Sequence, residues 1–370
     1  MHDEAPLLAD LPAPVLRVLG AEPGSRDFGH EVLTHNQGNQ ATGGIWRIRG
    51  PRGRAILKIG TGAGTGSARW PTSDDPRHWN FWRREHLAYS SGFADSVYAD
   101  AGIRAPALLH AEERSDGSLA LWLEDVSGAP GISWSVAALA AFARRLGAAQ
   151  ARWAGRDPGQ PWLSRRWLRG YLDAYAAANA DLATVAWDHE AAIRTWPAKL
   201  RETLRALWEY RASVLAVAES SPQTLCHLDV WPMNLIAADD GVRQTILLDW
   251  SFTGQGALGE DVSNLIIDSV ADGLIAPDLL PEIAATLPEA YLEGLRAGGW
   301  SGPADAVRTA IAATGAAKYS RIAPATLRRL ARGPEGGARM YDARTFEESF
   351  AQQLGMLNLV AGWARTAALG

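Results

Sequence analysis

Two short apolar segments that each end on a carboxylate, joined by a short hairpin, constrain this chain more than any other feature. The first reads Leu225-Cys226-His227-Leu228-Asp229-Val230-Trp231-Pro232-Met233-Asn234, and the second Ile246-Leu247-Leu248-Asp249-Trp250. Apolar strands hold their ends on rigid backbone, so Asp229, Asn234 and Asp249 are presented from fixed positions. That order suits a base plus two ligands for a divalent ion. An attacking hydroxyl needs a carboxylate to take its proton, and a magnesium ion bridging phosphates takes one or two carboxylates while keeping several waters. Asp249 with the amide oxygen of Asn234 makes half of such a shell, and Asp229 remains as the base. His227 and Pro232 read as scaffold, the ring bonding nearby backbone and the proline limiting the loop.

The pattern His-x-Asp-x-x-x-x-Asn, followed by an apolar strand and Asp, resembles the aminoglycoside phosphotransferase family within the protein-kinase-like fold. The likeness is strongest from Leu225 to Asn264 and weaker over the N-terminal third. It implies an α+β, two-lobe fold. Residues 1–126 would form a nucleotide-binding lobe, an antiparallel β-sheet with one helix that ends in the hinge. Residues 127–370 would form a larger, mainly helical lobe with the catalytic loop and substrate site. By this resemblance Asp229 is the catalytic base, Asn234 and Asp249 hold Mg2+, and His227 supports the loop. Asp261, in Gly259-Glu260-Asp261-Val262, resembles the buried Asp that braces the catalytic loop from a following helix. Val230 and Trp231 stand where a protein kinase carries Leu and a phosphate-contacting Lys, Trp250-Ser251 replaces Phe-Gly, and no Ala-Pro-Glu segment follows. Each departure favours a kinase of small molecules.

A nucleotide kinase also needs a cation near the phosphates. Lys58 lies in the apolar run Ala55-Ile56-Leu57-Lys58-Ile59 after the turn Gly50-Pro51-Arg52-Gly53, so the flanking segments read as a hairpin. A lysine inside such a strand is disfavoured unless it points at something, and its position resembles the strand lysine that pairs with nucleotide phosphates. Asp75-Pro76 reads as a helix N-cap and first helical position. Glu85, in the run His78 to Tyr89, is the ion-pair partner of Lys58 that the resemblance implies. Ahead of the hairpin, the polar stretch Thr34 to Gly44 lies where a loop covering phosphates is expected. Gly38, Gly43 and Gly44 there let backbone N–H groups approach an anion. Leu121 to Gly128 resembles the hinge, with Glu124 and Val126 placed to bond a purine edge of ATP or GTP.

Beyond Val126 the pattern turns helical: Leu139, Phe142, Leu146 and Trp153 share one stripe, and Leu200, Leu204, Leu207 and Val214 another. A chain of 370 residues, 47% apolar and 21% charged, has core enough for two lobes. A net charge of −5 without a Lys/Arg cluster argues against nucleic acid and suits a cationic substrate. No run of 18 apolar residues occurs, so no membrane association is expected. The start Met1 to Pro6 lacks a basic segment before an apolar core, so no secretory signal is expected. The single cysteine, Cys226, excludes an intramolecular disulfide and suits a cytoplasmic setting.

Of the sixteen tryptophans, Trp153, Trp208 and Trp363 read as core, whereas Trp231 and Trp250 flank the two carboxylates and are candidates to wall the site. Asp268, Asp272, Glu289 and Glu293 are candidates for contacting a cationic acceptor. The expected reaction is direct in-line transfer of a γ-phosphoryl group to a hydroxyl of an antibiotic, aminoglycoside-like or other. A sugar, an amino alcohol or a biosynthetic intermediate is the alternative acceptor. A catalytically silent nucleotide-binding module and a metal-dependent hydrolase using His227, Asp229 and Asp249 are the competing classes.

Overall fold

A computed structural model describes residues 11–25, 28–62, 70–239, 244–332 and 341–369. The start Met1 to Pro6, part of the loop before Asp74 (63–69) and the middle of the hairpin before Asp249 (240–243) lie outside the described residues. The fold is α+β, an antiparallel sheet in the N-terminal region and helices in the C-terminal region. It divides into two compact units. The first comprises residues 1–128, 161–164 and 236–252; the second comprises 129–160, 165–235 and 253–370.

In the first unit five strands lie in the order Gly29–Val32, Thr42–Arg49, Arg54–Gly60, Leu119–Glu124, Leu108–Glu113, every neighbour antiparallel. The expected hairpin is present: Arg49 faces Arg54, and Gly50 N–H donates to the Gly53 carbonyl at 2.9 Å. Strand alternation turns Ala55, Leu57 and Ile59 to one face, where they pack with Trp46, Ile48, Trp122 and, from the helix Ala13–Leu19, Val15 and Leu19. Burying Leu57 or Ile59 contributes about 1.5–3 kcal/mol each. Lys58 is thereby sent to the opposite face. A smaller sheet sets Thr245–Leu247 between Ile103–Arg104, which it meets in parallel, and Leu235–Ala238. Thr245–Leu247 is the strand that delivers Asp249.

The helix expected from Asp75-Pro76 starts later, at Arg84, and runs Arg84–Ser90. The reason is local. The carbonyls of Pro76, His78 and Trp79 accept hydrogen bonds from the Arg84 guanidinium, so the chain before Arg84 stays in turns.

In the second unit the helix Val136–Ala151 is capped by Ser135, whose hydroxyl accepts from Ala138 N–H at 3.3 Å. Leu139, Phe142 and Leu146 are fully buried on it, while Trp153 falls just past its end. Leu200, Leu204, Leu207 and Val214 are buried on the helix Ala198–Ser220. Helix Val136–Ala151 packs closely on Leu280–Ala297. Glycine permits that approach. A Cβ on Gly147 would stand 2.3 Å from the Tyr291 carbonyl oxygen, and one on Gly294 1.9 Å from that of Arg144. Strands Gln223–Cys226 and Gly254–Ala257 pair antiparallel, with Cys226 opposite Gly254. Cys226 is fully buried, and burial pushes its thiol well up, reinforced by the charges of Asp261 and Glu260. Among the described residues no helix is long and apolar enough to cross a membrane.

Candidate functional site

In the first unit Lys58 meets two carboxylates. Its Nζ lies 2.6 Å from Glu85 Oε2 and 3.1 Å from Asp249 Oδ1. Lys58 and Glu85 are both buried, while the Asp249 side chain keeps 33% exposure. Burial works to lower the Lys58 pKa, but the charges of Asp249 and Glu85 outweigh it and hold the ammonium above its ordinary value. Burial raises Glu85 to about 7, and Asp249 adds to the rise, against the pull of Lys58 and a hydrogen bond from Trp250 N–H. Glu85 sits in the first turn of its helix, where a negative charge meets the positive end of the helix dipole.

Asp249 stands on left-handed backbone, φ 59°. For a residue other than glycine that conformation costs about 1–3 kcal/mol and persists only where the surroundings enforce it. Here Ser251 Oγ donates to Asp249 Oδ1 at 2.6 Å, Lys58 holds the same oxygen, and the Ser251 carbonyl accepts from Arg84 at 3.0 Å. Trp250, between them, is fully buried; its Nε1 donates to the Leu247 carbonyl at 2.9 Å and its ring packs on Phe93 and Tyr98. A cavity of about 20 Å³ beside Lys58, Glu85, His86 and Ser251 has room for roughly one water.

The sequence stretch read as a phosphate-covering loop is tied to the chain around Trp70. The Gly38 carbonyl accepts from Trp70 N–H at 3.0 Å, and Gly38 N–H donates to Asn36 Oδ1 at 3.0 Å. Buried Asn80 donates to Asn39 Oδ1 and to the Trp70 and Pro71 carbonyls. Gly43 and Gly44 open the strand Thr42–Arg49, and Gly44 has φ 154° with the Trp46 ring where a Cβ would fall. Glu124 ends its strand with its carboxylate on Arg104 at 2.9 Å and on Ala107 N–H at 3.0 Å. Val126 is half-buried just beyond it.

In the second unit Asp229 follows Leu228, another left-handed residue, φ 69°. Asn234 ends the short turn Pro232–Asn234, and its Nδ2 donates to Asp229 Oδ2 and to the Asp229 carbonyl, both at 2.9 Å. With its amide hydrogens so used, the atom of Asn234 able to ligate a cation is Oδ1. Asp261, at the start of the helix Glu260–Ala271, bonds the loop main chain: Oδ1 accepts from Leu228 N–H at 2.7 Å and Oδ2 from His227 N–H at 2.9 Å. Burial raises Asp261 to about 6, while its donors favour the charged form. His227 is fully buried beneath the loop.

Two residues of this brace carry no sequence signal. Gln150 Nε2 donates to Asp261 Oδ2 at 2.7 Å, and its Oε1 accepts from Tyr291 Oη at 2.6 Å. Tyr291 Oη in turn accepts from Gly259 N–H at 3.1 Å. The close helix crossing at Gly147 and Gly294 brings Gln150 and Tyr291 together.

Trp231 is half-buried, edge-on to Tyr341 with ring centroids 5.2 Å apart. Asp268 pairs with buried Lys318 at 3.2 Å, Glu289 with Arg308 at 3.0 Å and Glu293 with Arg144 at 2.7 Å. Asp272 caps the C-terminal end of Glu260–Ala271. Among the described residues no group of three or more His, Cys, Asp or Glu is arranged to hold a metal. Asp249 in the first unit and the Asn234 amide in the second each offer a hard oxygen of the kind a magnesium ion takes.

Residues 46–302 match the APH model, described as the phosphotransferase enzyme family. Among solved structures, the amicoumacin kinase hAmiN, in complex with AMP-PNP, Ca2+ and Ami, is 14% identical with a TM-score of 0.50 over 90% of this chain and 89% of its own. A choline/ethanolamine kinase family protein from Mesorhizobium loti is 17% identical with a TM-score of 0.48 over 91% and 92%. The aminoglycoside phosphotransferase APH(3'')-Id from Streptomyces rimosus, in complex with ADP and streptomycin, is 17% identical with a TM-score of 0.45 over 78% and 92%. No curated protein matches the chain. At such identities the likeness is one of fold.

Proposed function

Because the chain belongs to the phosphotransferase enzyme family, and is therefore a phosphotransferase acting on hydroxyl groups of small molecules, we propose that it moves the γ-phosphoryl group of ATP or GTP directly, in line, to an antibiotic hydroxyl. The observation that carries this reading is the buried Lys58 held between Glu85 and Asp249. A permanently charged lysine beside a partly exposed carboxylate is what triphosphate binding asks of this sheet. The Gly38 to Gly44 stretch covers the phosphates, and the chain at Glu124 to Val126 meets the purine.

Asp249 and Asn234 are the residues that hold Mg2+. When bound, that ion neutralises phosphate charge. Asp229 takes the proton of the acceptor hydroxyl and aligns it, and Asn234 Nδ2 fixes the carboxylate oxygen opposite the one that does so. Asp261 and His227 keep the loop in register. Little covalent work falls to the protein, so positioning and electrostatics supply the acceleration. Residues 1–126 act as the nucleotide lobe and 127–370 as the acceptor lobe, in the cytoplasm.

Trp231 with Tyr341 offers the acceptor a half-buried aromatic wall. The amicoumacin bound by hAmiN supports an antibiotic acceptor. A second reading, an amino alcohol or sugar, is favoured by the ion pairs of Asp268, Glu289 and Glu293. These acids already carry cations of the chain itself, which suits an acceptor of low positive charge better than a polycation.

A panel of aminoglycosides, other hydroxylated antibiotics, amino alcohols and sugars, incubated with ATP or GTP and read by mass spectrometry, tests both readings. A gain of one phosphate on an antibiotic supports the first. Phosphate gain confined to amino alcohols or sugars replaces it with the second. Nucleotide binding with no phosphorylated product across the panel counts against both.

A further inference from the structure

Arg84 is fully buried, and its guanidinium bonds main-chain carbonyls. Nε donates to Trp162 at 2.8 Å, Nη1 to Trp79 at 3.1 Å and Ser251 at 3.0 Å, and Nη2 to Pro76 at 3.0 Å and to His78. A guanidinium has five N–H donors in a rigid fork, and each finds an acceptor here. No carboxylate bonds it among the described residues. Burial disfavours this charge and the Asp75 carboxylate only partly offsets that; such a charge is costly unless every donor is satisfied, and satisfying them fixes three separate segments of chain around one point.

One of those segments carries Asp249. Adjacent residues of the helix grip its turn from both sides: Glu85 accepts from Trp250 N–H, and Arg84 donates to the next carbonyl, that of Ser251. The segment at Trp162 is secured as well, since Ser164 Oγ donates to the Phe252 carbonyl at 2.8 Å. Asp249 sits in an unfavourable backbone conformation that something must enforce. Its own side-chain partners, Lys58 and Ser251, act on the carboxylate. Arg84 acts on the main chain two residues on.

We infer that Arg84 is a positioning residue for the divalent ion: it fixes the Asp249 turn so that the carboxylate is presented ready to coordinate. This rests on the assignment of Asp249 to that ion. Lysine cannot substitute, because three donors at one point cannot span five carbonyls around a plane.

The test uses the full chain loaded with the non-hydrolysable imido analogue of its preferred nucleotide. Mn2+ affinity is measured by the loss of the free-ion paramagnetic resonance signal, and nucleotide affinity is measured separately in EDTA. Wild type, Arg84→Gln, Arg84→Lys and Asp249→Ala are compared after thermal melts establish which variants fold. Supporting residues around a metal ligand typically change affinity by about 10- to 100-fold. Both Arg84 variants are therefore expected to weaken Mn2+ binding by at least about tenfold while metal-free nucleotide affinity stays within about twofold. Arg84→Lys alone decides the matter if Arg84→Gln does not fold. Equal losses in both affinities, or unchanged Mn2+ binding, overturn the inference. If Asp249→Ala loses Mn2+ and the Arg84 variants do not, only the positioning role fails. If Asp249→Ala also keeps Mn2+, the assignment of Asp249 fails with it.

Discussion

The carboxylates at Asp229 and Asp249 are presented in similar ways and restrained in different ones. Each is delivered beside a short apolar strand at a left-handed residue, Leu228 in one case and Asp249 itself in the other. Around Asp249 the restraint is ionic. Lys58 and Glu85 are buried charges, and Arg84 is a third. Around Asp229 the restraint is a ladder of hydrogen bonds, from Tyr291 through Gln150 to Asp261 and on to the loop amides. The ionic arrangement concentrates charge beside a partly exposed carboxylate, on the proposed binding side. The ladder places one brace charge, on Asp261, behind a loop whose shape matters more than its potential. The two carboxylates thus rest on separate physical devices, and each can be broken alone.

The largest effect is expected from Asp261→Ala. It strands the N–H groups of His227 and Leu228 and the Gln150 amide in a buried setting, at about 1–3 kcal/mol per group. Urea denaturation should show several kcal/mol lost, with turnover falling in step as the loop relaxes. Asp229→Asn should fold normally and lose about 10²- to 10⁴-fold in turnover, the range for a general base. Nucleotide affinity, measured by calorimetry, should hold.

Lys58→Met should cost about 3–5 kcal/mol at pH 8, as removing one member of a buried pair does. Adding Glu85→Gln should restore most of the stability and none of the nucleotide affinity. The single variant's cost should be smaller at pH 6. Glu85 in the fold already titrates at about 7, against an ordinary value of 4.5. A carboxyl whose folded pKa is raised stabilises fully below its ordinary value and loses that contribution as pH rises through the folded one. Without Lys58 the folded value climbs further, so the loss should grow from pH 6 to pH 8 in urea melts. A flat difference would show that Lys58 and Glu85 are not electrostatically coupled.

Gln150→Leu should be mildest, about 1–2 kcal/mol. Turnover should fall a few-fold with nucleotide affinity unchanged, because only the ladder is touched.

The parts legible in the sequence are those written in neighbouring residues. The hairpin around Gly50 to Gly53 announced itself through its turn, and Lys58 through the oddity of a charge in an apolar strand. Asp261 stands out only through the family resemblance of Gly259-Glu260-Asp261-Val262. The start of the Arg84–Ser90 helix differs from the sequence expectation because an Asp-Pro pair is a sound N-cap signal, while the side chain that overrides it lies eight residues on and acts through carbonyls. Gln150 and Tyr291 could not be found from pattern. They lie on separate helices, 111 residues and 30 residues from Asp261 respectively, and a lone Gln in an alanine-rich helix looks like surface. Trp250 looked like a site wall from its place in the motif, whereas its ring lies wholly in the core.

The crossing at Gly147 and Gly294 turns two positions with no chemistry of their own into a fulcrum. A single methyl at either would pry the helices apart, and the displacement would reach Tyr291 and Gln150 before any residue that handles phosphate. The placing of the loop that carries Asp229 therefore depends on atoms that are not there, the missing side chains of two glycines.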